Sequence, residues 1–541
     1  MGKLCRSLTI ASTIAVITAC CIGDCAALSS TNISLDSPLY AYLDKLAGMG
    51  LIHSDVKGIK PYSKAEAARL LLEAEGNVKE HGNDVPVLAV DLIERGRELL
   101  RREMALKQYP VKETPLFYVN PASSVLLRYV YLDGKPRSYE RQVNDPGNDG
   151  VFGIGQGLRP ANPYPTPVQL YGTEGTPLFE NNDGIVYRRG SNGEVRWASE
   201  GYVLDKMAAL LEPSLLIAGS DTALRLNRGY LKVGGENLEL EVGRDENWLG
   251  FGYRGAITLT NNARNLDFVK LSSPEPFRVD WLSWLGDMKY AFIFSRLDRT
   301  FVDGQERHPW FYALKLSMKP TDNLEIGLNL GRMQGGPGTD NSLDAWVKGL
   351  VGGTSSDNSK ANAGLEARYR LAWLRNTELY GEFSGCDVAT FWPIVESYLA
   401  GVHIPMLTAD GRNEFRFEYF RGNNILYWGA MFPKGFLYHD MTFGHSQGGA
   451  VEDYFFRYAH WFDARNSVAL EYFFTERGTF GRLPGQAVER KNAGRIFWTV
   501  PVYGNFDAQM MYGVERIDNV DLVGNQNRTN QLAKFELRYR Y

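Results

Sequence analysis

From about residue 116 onward the chain alternates. Val125, Leu127, Tyr129 and Tyr131 occupy every second position, and Leu238, Leu240 and Val242 interleave with Glu239 and Glu241. Ala367, Tyr369, Leu371 and Trp373 oppose Glu366, Arg368 and Arg370, and Phe415, Phe417 and Tyr419 oppose Glu414, Arg416 and Glu418. Side chains along a strand point alternately to its two faces, so each run predicts a strand with one apolar, aromatic face and one ionic face. Pro320-Thr321-Asp322-Asn323 separates Leu314, Leu316 and Met318 from Leu324, Ile326, Leu328 and Leu330, which predicts a hairpin. Arg375-Asn376 and Asp463-Ala464-Arg465-Asn466 read as further turns. The pattern closes on Phe535, Leu537, Tyr539 and Tyr541, set against Glu536, Arg538 and Arg540. A closing strand with aromatic residues on one face and ions on the other suits a barrel that has lipid outside and a wet lumen within.

The connections come in two sizes. Some are turns of a few residues, whereas Asp133–Gly184, Gly331–Ala361 and Gly478–Asn492 are long and rich in Gly, Pro and Asn. Structureless loops of that length are uncommon in a compact soluble domain but usual on one side of an outer-membrane barrel. With no blade-length repeat to favour a propeller, the expectation is an all-β transmembrane antiparallel barrel of about 16–18 strands over residues 115–541.

Before the strands the period is helical. Ser37-Pro38 opens a run carrying Leu39, Leu43 and Leu46, closed by Gly48 and Gly50. Ser63-Lys64-Ala65-Glu66 is a capping-box pattern followed by Leu70, Leu71 and Leu72. A third segment, about 85–104, carries Leu88, Leu92, Leu99 and Leu100. Residues 28–110 therefore predict a small three-helix unit, too short for a core of its own, that packs against a neighbour. Residues 1–27 read as a secretory signal peptide, with Lys3 and Arg6, an apolar run from Leu8 to Cys21, and Cys25-Ala26-Ala27 for cleavage. Ile17-Thr18-Ala19-Cys20 also fits a lipoprotein box, which would place a lipid on Cys20.

Composition narrows the function. Four of the five cysteines lie in the leader, leaving Cys386 without an intramolecular partner. A formal charge of -4 offers no footprint for nucleic acid. The mean hydropathy is -0.28 and no long apolar run follows the leader, which excludes membrane-spanning helices but not a barrel. The histidines lack close zinc-ligand spacing, and Pro146 spoils a calcium-loop reading of Asn144–Gly150, so neither a metal nor a cofactor is expected. Gly444-His445-Ser446-Gln447-Gly448 matches the nucleophile elbow of hydrolases, but strand–helix alternation is missing around it and His460 is the one histidine that follows. The richest chemistry lies in Gly243–Gly255 and Thr260–Ala263. There Arg244, Asp245, Trp248, Tyr253, Asn261 and Asn262 combine aromatic faces with ions and amides, which suits sugar rings. The plainer reading is a tight loop whose arginines and acids pair inside the barrel.

Three blocks in order resemble the capsule assembly proteins of the Wzi type. The first holds Leu39, Leu43, Leu46 and Gly50-Leu51-Ile52, then Lys60-Pro61-Tyr62-Ser63 and Ala65-Glu66-Ala67-Ala68-Arg69-Leu70-Leu71. The second holds Gly243-Arg244-Asp245, Trp248, Gly250 and Leu259-Thr260-Asn261-Asn262-Ala263; the third holds Gly444-His445, Gly448 and Glu452-Asp453. The resemblance implies an outer-membrane barrel of about 18 strands with periplasmic helices, placed by the barrel assembly machinery among outer-membrane lipid. It implies a non-enzymatic, lectin-like attachment of capsular or exopolysaccharide, and adds His445 to the candidate glycan contacts. A porin or oligosaccharide channel is the alternative, because the same lumen charges serve it.

Overall fold

Tyr539 stands opposite Val125, and the pairing runs from Ser124–Arg540 to Asp133–Gln531. This seam joins the last strand, Asn527–Arg540, to the first, Phe117–Asp133, and closes an antiparallel barrel of 18 strands among the described residues. The computed structural model describes residues 28–541 apart from 83–84, 109–115, 139, 146–165, 220, 236, 303, 351–358, 390, 430 and 541. The leader with Cys20, Pro146–Gly150 of the calcium-like loop, and Tyr541 lie outside the described residues.

The alternation sets the wall. Phe535 points outward and is exposed, while Glu536 and Arg538 are buried in the lumen. Glu366, Arg368 and Arg370 likewise point inward, with Tyr369 outward. The expected hairpin forms between Trp310–Thr321 and Leu324–Gln334, turning at Asp322-Asn323. None of the described helices is long and apolar enough to cross a membrane; the strands do the crossing.

Among the described residues four helices precede the wall: α1 (Pro38–Gly48), α2 (Lys64–His81), α3 (Val87–Leu99) and α4 (Arg101–Gln108). Ser37 accepts from Leu39 N, and Ser63 from Glu66 N, so both capping signals act at the chain's own N–H groups. Glu66 spends its carboxylate on Arg69 at 2.7 Å, which leaves the capping box half made. The stretch expected as one helix divides at Leu100, whose φ of -126° leaves the helical range while its side chain is buried among the other helices. The bundle sits on one mouth of the barrel. Lys45 donates to Pro405 O at 2.7 Å, Tyr42 to Ala464 O at 2.8 Å and Arg95 to Asn505 at 3.2 Å.

The lumen is filled. Residues 29–36 and 55–62 rise into it from the helical end, and the loops 245–266 and 423–450 fold into it from the other. Ile59, Leu249, Phe251, Leu259, Phe420, Tyr427, Phe436 and Phe443 make one apolar core inside the ring of charges. Asp55 anchors the entering segment, accepting from Lys319 at 2.7 Å, Arg370 at 3.1 Å and Arg368 at 3.2 Å. Burial alone would raise its carboxyl, but Arg368, Lys319, Arg370 and Lys57 outweigh that and hold it well below the carboxylate range. Glu325 takes the backbone N–H groups of Lys57 and Gly58, each at 3.0 Å. The two loop classes segregate only in part: turns at 322–323 and 504–505 mark the helical end, yet 273–286 lies there too.

Candidate functional site

Strand Leu238–Arg244 delivers the mid-chain loop into the lumen. Gly243 (φ 142°) has no room for a Cβ, which would fall 2.3 Å from Gly229 O; at Gly255 one would fall 2.2 Å from the His445 ring. These absences of side chain let the loop lie against the wall and against the loop 423–450. Trp248 and Leu249 pair with Lys60 and Ile59 as a short antiparallel ladder, and Leu249 also bridges Leu259.

The structure places the candidate residues in different settings. Asp245 and Glu246 receive the N-terminal segment: Asn32 Nδ2 donates to Asp245 at 2.7 Å and Leu35 N to Glu246 at 2.7 Å. Burial, then the neighbouring Glu241, raises Asp245 to about 7, with Arg228 and Lys270 opposing. Burial and Asp183 raise Glu246 well above the ordinary range. Trp248 is buried under its ladder. Asn262 is fully buried and donates to Thr442 O at 2.8 Å, which ties the loop to 423–450. His445 stacks on Phe420 with ring centres 3.7 Å apart, and burial depresses it to about 3, so the imidazole is neutral. Gln447 N donates to its Nδ1 at 3.3 Å. Ser446, in the hydrolase-like motif, is buried, and His460 spends Nδ1 on Asn413 at 2.7 Å.

Of the other three candidates, Tyr253 is open, Asn261 is buried but borders a cavity, and Arg244 is half-buried. Tyr253 keeps 41% of its surface, opening inside the barrel between Arg416 and Arg457, 4.7 and 5.4 Å from the ring centre. Asn261 donates to Asp183 at 3.1 Å and lines a lumen cavity of about 250 Å³ shared with Arg196, Arg457 and Lys534. Arg244 lies at the end of the barrel away from the helices, forked onto Asp267 at 2.8 and 2.7 Å.

At the same end opens a second cavity of about 330 Å³, lined by Asp298, Arg299, Lys434, His439 and Asp440. Asp298 accepts from His439 N at 2.5 Å, and Arg264 Nη1 stands 3.5 Å from His439 Nε2. Burial lowers the His439 imidazole; Asp298 opposes this while Arg264 and Arg244 add to it. His439 and Asp440 both take positive φ, at 51° and 62°, which turns the loop sharply and presents their side chains together. Arg264, Asp298 and His439 escaped the sequence reading because they come from loops far apart in the chain. The lone signal was the arginine that follows the Asn261-Asn262-Ala263 block.

The family model described as capsule assembly protein Wzi matches residues 159–539. No curated protein sequence matches the chain. Among solved structures, Wzi of Escherichia coli, described as an outer-membrane protein involved in group 1 capsule assembly and a carbohydrate-binding β-barrel, superposes with a TM-score of 0.66 at 15% identity, covering 95% of this chain and 100% of that one. OccAB4 of Acinetobacter baumannii (10% identity, 79% and 98% covered) and OprD of Pseudomonas aeruginosa (10%, 78% and 94%) each reach a TM-score of 0.40. The matched residues span the mid-chain block, the loop 423–450 and all but the first strand of the closed 18-strand wall, and on that match this chain belongs to the Wzi capsule assembly family of outer-membrane barrels.

Proposed function

We propose that the protein holds an exported capsular or exopolysaccharide at the cell surface as a non-enzymatic, lectin-like anchor. The observation that carries this reading is the cleft at the end of the barrel away from the helices, lined by Asp298, His439, Arg299 and Lys434, with Arg264 Nη1 3.5 Å from His439 Nε2. Guanidinium groups suit the carboxylates of acidic sugars, and the neighbouring carboxylate and imidazole take hydroxyls. Each contact is weak, and repeated glycan units raise the overall hold. Arg244 lies at the same end of the barrel, while Tyr253 and Asn261 border interior space. Asp245, Trp248, Asn262 and His445 act by holding the loops that build it.

In this reading the cleft faces outward and the helical bundle lies in the periplasm, once the leader is removed. The barrel assembly machinery inserts the wall into outer-membrane lipid. A filled lumen favours an anchor over a porin, and the burial of Ser446 favours binding over hydrolysis.

The test is a deletion strain complemented with the wild-type chain, Arg264→Ala or His439→Ala and scored for cell-bound against shed polysaccharide. Loss of one charge-assisted contact, about 1.5 kcal/mol or more, weakens each repeat about tenfold. The deletion and both variants are expected to shed polysaccharide while the variants keep wild-type barrel levels. Full retention in the deletion strain overturns the reading.

A further inference from the structure

The loop expected to be structureless between strands Leu324–Gln334 and Ser359–Leu371 contains a helix, α5 (Leu343–Leu350). It lies on the outside of the barrel. On strand Trp310–Thr321 the alternation sends Phe311, Ala313 and Lys315 into the lumen, so Trp310, Tyr312 and Leu314 face outward. By the same alternation Leu330, Arg332 and Gln334 face outward on the next strand, opposite the lumen-facing Asn329 and Met333. Leu314, Leu316 and Leu328, lower on these outer faces, are partly exposed, as a lipid-facing wall requires. Tyr312, Leu330, Arg332 and Gln334 are instead only 1–2% exposed.

Helix α5 provides the cover. Gln334 Nε2 donates to Ala345 O at 2.6 Å and its Oε1 accepts from Tyr312 at 3.2 Å. Trp346 packs on Phe294 and Tyr312 with ring centres 6.2 and 6.4 Å apart. The approach is close at Gly349, where a Cβ would fall 2.0 Å from Gln334 Oε1.

Successive residues turn by about 100° around a helix, which divides α5 into three sectors. Ala345, Trp346 and Gly349 meet the wall. Asp344 and Lys348 form an exposed pair at 2.6 Å on one flank. On the other flank Leu343, Val347 and Leu350 are 79%, 51% and 46% exposed. We propose that this apolar flank lies in the acyl region of the outer-leaflet lipid, with the Asp344–Lys348 pair at the headgroups. The flank continues the outward apolar face of the strands beneath it, which touches lipid in an outer-membrane barrel. Its amphipathic build, apolar on one side and ionic on the other, is that of a helix lying in the membrane interface. Three side chains are far too few for a stable protein interface, which buries about 800 Å² per partner. The seat also explains Arg332 and Gln334. These polar groups stand on the lipid side of the wall, where they would be costly, and the helix keeps them from lipid.

The experiment uses the full-length folded protein in phosphatidylcholine vesicles, with an environment-sensitive fluorophore on Val347→Cys, Lys348→Cys or the wall control Leu316→Cys. Cys386 is fully buried and stays unlabelled. Retention of the compact, heat-modifiable gel species verifies folding of each variant; Asp344→Cys replaces Lys348→Cys should that variant fail. The expected result is quenching at 347 by lipid carrying a shallow spin label to at least half the extent seen at 316, with iodide reaching 348 at least threefold better than 347. Equal iodide access at 347 and 348 with no lipid quenching overturns the proposal. So does protection of 347 from both quenchers with self-quenching at full labelling, since that places a second copy there.

Discussion

Lys60 and Trp248 face each other across an antiparallel pairing inside the barrel, one from the segment that follows α1 and the other from the mid-chain loop. Gly250 N extends the contact, donating to Gly58 O at 3.0 Å. The chain thus crosses its own lumen early and is met there by a loop that comes from the opposite mouth.

The filled lumen predicts a barrel that does not conduct. In planar bilayers the purified protein should show no stepwise openings, in contrast to a porin of similar strand number. Steady open channels would show that residues 29–36 and 55–62 leave the lumen in solution.

Asp55 is the partner that makes three buried cations tolerable. Asp55→Ala leaves Arg368, Arg370 and Lys319 short of a countercharge and is expected to destabilise the fold by about 3–5 kcal/mol. The check is the temperature at which the heat-modifiable band converts. Asp55→Asn keeps the shape and should lose less.

Burial of Asp245 beside Glu241, under the segment that Asn32 belongs to, carries a pH signature that the hydrogen bond from Asn32 opposes. The unfolded chain ionises this carboxyl near pH 3.9 or so, whereas the folded site raises it to about 7. Its contribution to stability is therefore full below about pH 4 and is lost as the pH rises through 7. Hydrogen exchange of residues 29–36, corrected for intrinsic rate, should quicken between about pH 4 and 7 and level off above that, and Asp245→Asn should flatten that dependence. Asp44 runs the other way. Burial pushes it up, Lys57 and Arg416 more than offset this, and it settles at about 2, so its contribution is present above about pH 4 and fades as the pH falls toward 2.

Gly255 and the His445 ring hold the two inner loops in register. Gly255→Ala forces a Cβ to within 2.2 Å of that ring, and overpacking of this kind costs about 1–3 kcal/mol. The expected outcome is a lower conversion temperature with the barrel still assembled, and faster proteolysis of the loop 423–450.

Phe535 lies on the outer face of the closing strand, opposite Tyr129. Phe535→Arg should lower barrel stability by about 2 kcal/mol, less than a midplane site would. The mirror change inward, Glu536→Gln, acts through Arg128, which it holds at 2.7 Å, and should leave the lipid face untouched. Comparing the two in detergent and in vesicles separates the lipid effect, which only the first should show.

What the sequence determined by itself was the wall, because strand alternation is a local property: Phe535 out and Glu536 in follow from their being neighbours. The caps at Ser37 and Ser63 were legible for the same reason, since each bonds within three residues. The tertiary structure decided what the wall contains and wears. Nothing local says that Asn32 docks on Asp245, that Lys60 meets Trp248, that Asn262 reaches Thr442 or that His445 stacks on Phe420. Nor does local pattern tell that Arg264 comes to stand beside His439, or that α5 folds onto the outer face over Tyr312 and Arg332. These contacts join residues far apart in the chain, and their partners become neighbours only when the closed ring forces every inward side chain and inserted loop to share one interior.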